Sequence, residues 1–138
     1  MDKIGLVTVT YNSADVLQPF LNCIFKQSYQ NFVLYIIDND SKDDTISTLL
    51  NTNKDRIHLI RNNQNKGVAV ANNQGIKLAL DHNCDQVLII NNDVVFGSSL
   101  IDDLVKAQIS CNSSLITPKI FFYDNPQRIW YAGSWFSK

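Results

Sequence analysis

Apolar residues along the chain follow two patterns, short continuous runs and longer stretches with helical spacing, and the two patterns alternate. The short runs predict five strands, the third less apolar and the fifth less regular, at residues 4–9, 32–37, 56–60, 87–90 and 115–122. The other stretches predict helices at residues 16–25, 46–50, 68–80 and 100–109. This alternation predicts an α/β fold, with a mainly parallel sheet, helices on both faces and right-handed crossovers.

Polar residues between the runs predict how the helices begin and how one of them packs. Asn12 or Ser13 is expected to cap the first helix, and Ser41 with Asp44 resembles a capping box for the second. The third helix is expected to lie close to the sheet because it carries small side chains, at Ala69, Ala71 and Gly75.

The run from Val87 to Ile90 is the most informative, because it ends abruptly in Asn91, Asn92 and Asp93. Four apolar residues without alternation predict a strand buried on both faces. Ligands of open α/β sheets bind just outside the carboxyl ends of the strands. Residues two apart point the same way, so Asn91 and Asp93 can face one ligand, and their oxygens suit Mg²⁺ or Mn²⁺. A polar turn without a ligand explains the triplet equally well when it is taken alone.

Polar clusters also follow two other predicted strands and open one predicted helix. They are Thr10-Tyr11-Asn12, Asp38-Asn39-Asp40 and Asn65-Lys66-Gly67. Parallel strands end at a common edge of the sheet, and the free amides of a helix start favour phosphate. The sequence therefore predicts one rim with polar side chains, a cation site and an anion site, which together fit a nucleoside diphosphate.

Size and composition narrow the class of protein. The 138 residues suit one domain, and a net charge of −1 gives no reason to expect nucleic acid or an anionic membrane as a partner. No apolar run reaches membrane-spanning length. The three cysteines have no metal or redox spacing, which is typical of buried thiols in a reducing cytoplasm, at Cys23, Cys84 and Cys111.

Four motifs in order resemble the family 2 inverting glycosyltransferases of the GT-A fold, and the resemblance covers nearly the whole chain. The residues at 9–12 read V-T-Y-N, those at 37–45 read I-D-N-D-S-K-D-D-T, and N-K-G at 65–67 precedes N-N-Q-G at 72–75. The fourth motif, N-N-D at 91–93, falls where the family has D-x-D. The N-N-D form and the two N-x-G-like segments look most like the rhamnosyltransferase-type branch.

The resemblance implies roles for individual residues. The nucleotide-binding set would be Thr10, Tyr11, Asn12, Asp38, Asn39, Asp40, Asn65, Lys66, Gly67, Asn73 and Asn92. Within it, Asp38 would accept a hydrogen bond from the pyrimidine and Lys66 would approach the diphosphate. Asp93, with Asn91, would hold the divalent cation; Asn91 replaces a frequent aspartate, and a neutral amide binds metal more weakly.

The resemblance also implies partners and a location. The donor would be a UDP-, GDP- or dTDP-linked sugar and the acceptor a glycan or a lipid-linked molecule. The enzyme would be cytoplasmic, or peripheral at the inner face of the membrane, and association into a homodimer is left open. It would serve the synthesis of polysaccharide or cell-surface glycan.

The final stretch predicts that the domain is cut short. Residues 124–138 carry four aromatic side chains without an obvious partner, at Trp130, Tyr131, Trp135 and Phe136. The family's base and acceptor-binding segments lie beyond its D-x-D region, so the chain is expected to be the N-terminal, donor-binding part of a longer catalytic domain, with the base beyond Lys138.

Two other classes stay open at this point. A receiver-type phosphoacceptor module shares the length and the sheet order, but it needs acidic residues where this chain has Thr10-Tyr11-Asn12. A non-catalytic nucleotide-sugar-binding protein needs no base. The absence of G-x-G-x-x-G after the first strand argues against a conventional dinucleotide enzyme.

Overall fold

A computed structural model of the chain describes residues 1–52 and 55–134. The strands are β1 (Ile4–Thr10), β2 (Phe32–Asp38), β3 (Ile57–Arg61), β4 (Gln86–Ile89), β5 (Ile120–Phe121) and β6 (Ile129–Tyr131). The helices are α1 (Ala14–Phe25), α2 (Thr45–Leu50), α3 (Val68–Asp81) and α4 (Leu100–Cys111). These elements form two compact units, Met1–Ser98 and Ser99–Lys138. The single domain over 1–138 stays a prediction.

The first unit contains a four-stranded parallel sheet in the order β3-β2-β1-β4. Thr10 pairs with Asp38, and Asp38 pairs with Arg61, so β1, β2 and β3 end side by side. On the other side of β1, Val7 pairs with Ile89, and the Ile90 amide donates to the Val7 carbonyl. The predicted parallel sheet with helices is confirmed, and its register places the polar strand ends on one edge.

The order of the strands distributes the helices over the sheet. The chain steps outward from β1 to β2 to β3 and then returns past β1 to β4. Right-handed crossovers therefore place α1 and α2 on one face and α3 on the other. Helix α3 packs on β1 and β2 through its buried Ala71, Gly75 and Ala79. The prediction that Ala69 would join this contact was wrong, because Ala69 lies in the exposed first turn.

The contact between α3 and β1 requires a glycine at position 75. A Cβ atom built on Gly75 would collide with Val7 Cγ1 and come within 3.4 Å of Ile37 Cγ1. We expect Gly75→Ala to lower the free energy of unfolding by about 1–3 kcal/mol, because overpacking pushes the helix away from the strand. Gly97→Ala is the matched control, since no atom of the described residues lies within 4 Å of its Cβ position. Equal stability of the two variants in urea unfolding would contradict this close packing.

Two strand predictions were wrong. Strand β4, expected to be buried on both faces, pairs only with β1 among the described residues, and Ile89 is 50% exposed. The predicted fifth strand at 115–122 is reduced to β5, which pairs antiparallel with β6 in a separate two-stranded sheet. Pro118 explains the reduction, because it has no amide hydrogen to donate and restricts the residue before it.

The aromatic residues of the last stretch are placed only in part. Trp130 is exposed and lies on β6 beside Tyr131. Trp135 and Phe136 lie outside the described residues. No helix in the described part of the chain is long and apolar enough to cross a membrane.

Two histidines lie together on a tyrosine near the opposite end of the strands from the polar edge. The rings of Tyr35 and His58 stack with centroids 5.2 Å apart, and the rings of His58 and His82 are 4.9 Å apart. Tyr35 Oη lies 3.1 Å from His82 Nδ1 and 3.7 Å from Cys84 Sγ. Burial lowers the pKa of His58, and the nearby His82 and Lys3 charges lower it further.

This cluster predicts a loss of stability in mild acid. Because the folded protein lowers the pKa of His58, the unfolded chain takes up the proton more readily below about pH 6.5. We expect the melting temperature to fall as the pH drops from 7 towards 5, and to fall less in His58→Gln. An unchanged pH profile in His58→Gln would show that other groups cause the loss.

Candidate functional site

The site lies at the carboxyl edge of the sheet, where the loops after β1, β2 and β4 meet the start of α3. The predicted residues divide into two groups by exposure. One group is exposed or partly exposed: Tyr11, Asn12, Asp40, Asn65, Lys66, Gly67, Asn73, Asn91 and Asp93. The other group is buried, namely Thr10, Asp38, Asn39 and Asn92. Only the first group presents free surface to a ligand.

The Asp38 carboxylate holds the ends of β1 and β2 together. Thr10 Oγ1 donates to Oδ1 at 2.8 Å, the Ser41 amide donates to Oδ2 at 3.0 Å, and the Ser41 hydroxyl donates to Oδ1. Asp38 is 1% exposed. A direct hydrogen bond from a base therefore requires its neighbours to shift, and the pyrimidine contact of Asp38 stays a prediction.

The loop after β1 is fastened to the loop after β2 by reciprocal hydrogen bonds. The Asn12 amide donates to Ser41 Oγ at 2.9 Å, and the Lys42 amide donates back to Asn12 Oδ1 at 2.8 Å. Asn12 and Asp40 have left-handed backbones, with φ of 50° and 70°. Left-handed residues other than glycine cluster at ligand-binding sites, and Asn and Asp tolerate the conformation best.

Asn39 connects the end of β2 to the start of α3. Its Nδ2 donates to the Gly67 carbonyl at 3.3 Å, and its Oδ1 accepts from Asn62 Nδ2 at 2.9 Å. Asn62 and Gln74 exchange a further pair of hydrogen bonds. These contacts fix the helix start at the same edge as Asp38.

The start of α3 is open to an anion. Gly67, the N-cap, has φ 80°, and no side chain caps the helix. The amides of residues 68–70 therefore have no intrahelical acceptor. Asn65 Oδ1 shapes the approach by accepting from the Gly67 amide at 2.9 Å, and Lys66 is exposed beside it. Amides, helix dipole and lysine together favour phosphate.

The turn at 91–93 presents its outer residues and buries its middle one. Asn92 Nδ2 donates to the Val9 carbonyl at 3.1 Å and to Ser13 Oγ at 2.9 Å, whereas Asn91 and Asp93 are exposed. Within the described residues, Asp93 has no hydrogen bond or ion pair, and no group of three or more His, Cys, Asp or Glu residues could hold a metal. One carboxylate and one amide oxygen fit a hard cation that is held mainly by phosphate and water.

The capping predictions were confirmed only in part. Ser13 is the N-cap of α1, but its side chain makes no cap hydrogen bond, and the Ser41 hydroxyl binds Asp38 instead of starting α2. The Asp43 carboxylate supplies the missing acceptors: the amides of Ala14 and Thr45 donate to it. Desolvation works to raise the pKa of Asp43, yet hydrogen bonds from the Thr45 hydroxyl and these amides outweigh it and lower the pKa.

Sequence reasoning missed the residues that brace this site, namely Ser13, Ser41, Asn62 and Gln74. Ser13 and Ser41 were interpreted only as helix caps, and Asn62 only as part of a polar loop. Their spacing in the sequence carries no signal, because the contacts of Ser13, Ser41 and Asn62 join loops that follow different strands. Gln74 only supports Asn62 from within α3.

The comparisons with curated proteins give partial matches to glycosyltransferases. The chain is 32% identical over 76 residues to the Escherichia coli UDP-Glc:alpha-D-GlcNAc-diphosphoundecaprenol beta-1,3-glucosyltransferase WfgD, a match covering 55% of this chain and 30% of WfgD. It is 23% identical over 132 residues to the glycosyltransferase GlyG of Streptococcus pneumoniae, covering 94% of this chain and 43% of GlyG. The chain thus spans less than half the length of these relatives.

Solved structures share the fold. The S. aureus TarS 1–349 structure in complex with UDP matches with a TM-score of 0.68 and 17% identity, over 89% of this chain and 43% of that one. The Pyrobaculum calidifontis mannosyltransferase PcManGT, in complex with GDP-Man and Mn²⁺, matches with a TM-score of 0.67 and 23% identity, over 78% and 32%. The family model of glycosyl transferase family 2 matches residues 6–137, nearly the whole chain. The chain therefore belongs to glycosyl transferase family 2.

Proposed function

We propose that this chain binds the nucleoside diphosphate of a sugar donor at the carboxyl edge of its sheet, as the donor-binding part of an inverting glycosyltransferase. One observation carries the proposal. The open start of α3 with Lys66, the exposed Tyr11 and the exposed Asp93 all lie along this edge. These groups would receive, respectively, the diphosphate, the base and a divalent cation.

Each part of the edge has a distinct role in this proposal. Lys66 and the free amides of residues 68–70 bind the diphosphate and offset the negative charge that grows as it leaves the sugar. Tyr11, 52% exposed, offers its ring to the base. Asp93, with Asn91, would hold Mg²⁺ or Mn²⁺, which supplies Lewis-acid stabilisation of the leaving diphosphate.

The acceptor side of the reaction needs a base that no motif in this chain marks. An acceptor hydroxyl has to lose its proton as it attacks the anomeric carbon. Asp124 is the last carboxylate of the sequence, and no motif assigns it this role. We therefore expect the 138-residue chain to bind nucleotide without efficient sugar transfer. Robust turnover by this chain would contradict that expectation.

The names of the relatives support a more specific proposal for the acceptor. WfgD is named for a UDP-glucose donor and a diphosphoundecaprenol-linked acceptor, and a Bacillus subtilis relative is named as a putative teichuronic acid glycosyltransferase. These names support a lipid-linked or glycan acceptor in cell-surface synthesis. The rhamnosyltransferase-like branch is a separate proposal, which rests on the N-N-D and N-x-G-like residues. A homodimer and a cytoplasmic location, either free or peripheral at the inner face of the membrane, complete the proposal.

The family match over residues 6–137 favours this function over a receiver-type module. The direct test is calorimetric titration of the chain with UDP, GDP and dTDP, each with and without Mn²⁺. We expect one of the three to bind, and more tightly with Mn²⁺; preference for dTDP would support the rhamnosyltransferase-like branch. Binding of none of them would overturn the proposal.

A further inference from the structure

We propose that Ser13 is a positioning residue that couples the turn carrying Asp93 to the loop carrying Tyr11. The proposal rests on the proposed function, since it concerns how the nucleotide side and the cation side of the same edge communicate. Ser13 is buried and has no place in the family motifs of this chain. Its proposed role rests on the two hydrogen bonds that its hydroxyl oxygen accepts.

The Ser13 hydroxyl accepts hydrogen bonds from both sides of the site. The Tyr11 amide donates to Ser13 Oγ at 3.2 Å, and Asn92 Nδ2 donates to the same oxygen at 2.9 Å. Tyr11 belongs to the nucleotide-facing loop, and Asn92 lies between the two proposed cation ligands. One oxygen atom thus connects two loops that are 79 residues apart in the sequence.

Both ends of this connection are held firmly. Asn92 is buried, and its second amide bond, to the Val9 carbonyl at 3.1 Å, fixes the orientation of its side chain. The Ser13 amide donates to Thr45 Oγ1 at 2.7 Å, and that hydroxyl donates to Asp43 Oδ1 at 2.6 Å. A buried chain of satisfied hydrogen bonds behaves as a unit, so a shift at one end is transmitted to the other.

The expected consequence is reciprocal coupling. A cation that draws the 91–93 turn towards a diphosphate also moves Asn92, and through Ser13 it sets the position of the Tyr11 backbone. Binding of nucleotide must then favour binding of the cation by the same factor. Without the Ser13 hydroxyl, the nucleotide and the cation can each still bind, but binding of one no longer changes the affinity for the other.

The first experiment measures this coupling in the 138-residue chain, as the ratio of nucleotide Kd without and with Mn²⁺, for UDP, GDP and dTDP. We expect a ratio of roughly ten in the wild type, in the usual range for coupled sites. Ser13→Thr keeps the hydroxyl and should retain the wild-type ratio. In Ser13→Ala the ratio should fall to between one and about two, while nucleotide still binds without Mn²⁺. The double variant Ser13→Ala/Asn92→Ala should lose no more than Ser13→Ala, because both act through one contact.

Thr8→Val is the matched control. Thr8 is a fully buried residue on β1 whose hydroxyl has no hydrogen-bond partner among the described residues, so its removal changes neither loop. A wild-type ratio in Ser13→Ala, or an equal loss in Thr8→Val, would overturn the role of Ser13.

A ligand-free experiment separates this inference from the proposed function. If the wild type binds none of the three nucleotides, the proposed function fails, and amide hydrogen exchange of the ligand-free chain decides the coupling. We expect Asn92→Ala to speed exchange of the Tyr11 amide in the wild-type and Ser13→Thr backgrounds, but not in Ser13→Ala, where that amide has already lost its acceptor. Exchange at Tyr11 that Asn92→Ala leaves unchanged in the wild type, or changes equally in Ser13→Ala, overturns the inference.

Discussion

Replacing Asp93 with alanine is expected to remove the Mn²⁺-dependent part of nucleotide binding, a loss of roughly tenfold or more, and to leave metal-free affinity unchanged. Asp93 is exposed and has no hydrogen bond or ion pair among the described residues, so its removal should leave stability within about 0.5 kcal/mol of the wild type. The amide oxygen of Asn91 is the other proposed ligand in this turn, and a neutral oxygen holds a divalent cation weakly.

Calorimetric titration of the tightest-binding nucleotide, with and without Mn²⁺, measures this effect. Asp81→Ala is the control, because Asp81 is also an exposed carboxylate but pairs with Lys77 at the far end of α3. Asp93→Asn should lose most of the Mn²⁺ effect if the negative charge is the essential feature. An intact Mn²⁺ effect in Asp93→Ala would place the cation elsewhere.

The arrangement of the sheet could be predicted because its information is local. Mainly apolar runs identify β1 and β2, and helical spacing identifies α1 and α3. Their alternation then predicts a mainly parallel sheet with helices on both faces. The exposure of Ile89 on β4 could not be predicted in this way. An apolar run shows that a strand prefers burial, and it does not show how many neighbours the strand has.

The sequence predicts where the candidate site lies, but not which of its residues are buried and which are exposed. Strand ends and motif order predict that Thr10, Asp38 and Asp93 lie at one edge. The register pairs Thr10 with Asp38, and the hydrogen bond from Asn92 to the Val9 carbonyl holds the turn that carries Asp93 near the end of β1. The sequence does not distinguish Asp38, which is buried among hydroxyls and amides, from Asp93, which is exposed. That difference arises from Thr10 and Ser41, whose hydrogen bonds to Asp38 depend on how the loops fold back.

Replacing Asp38 with alanine is expected to lower the free energy of unfolding by about 3–5 kcal/mol, the largest effect on stability that we anticipate. The change leaves the Thr10 hydroxyl and the Ser41 amide and hydroxyl without their acceptor. Each buried donor left without a partner costs about 1–3 kcal/mol. Asp44→Ala is the control, because Asp44 is exposed and its carboxylate accepts only a long, exposed hydrogen bond among the described residues, from the Ser47 hydroxyl at 3.4 Å. Urea unfolding measures both variants, and a near-neutral Asp38→Ala would show that the carboxylate is not needed to join the two loops.

Asp38→Asn then separates support of the loops from contact with a base. Asparagine keeps one acceptor oxygen for Thr10 and Ser41, so the variant should stay folded at 20 °C and lose about 1–2 kcal/mol. If Asp38 only braces the loops, binding of UDP and GDP should weaken by the same factor, since both use the same Tyr11 loop. If Asp38 also accepts a hydrogen bond from a pyrimidine, UDP and dTDP should lose roughly tenfold more than GDP, because the lost contact is to the base itself. The geometry around Asp38 favours the first result: its carboxylate already accepts three protein hydrogen bonds and has almost no free surface.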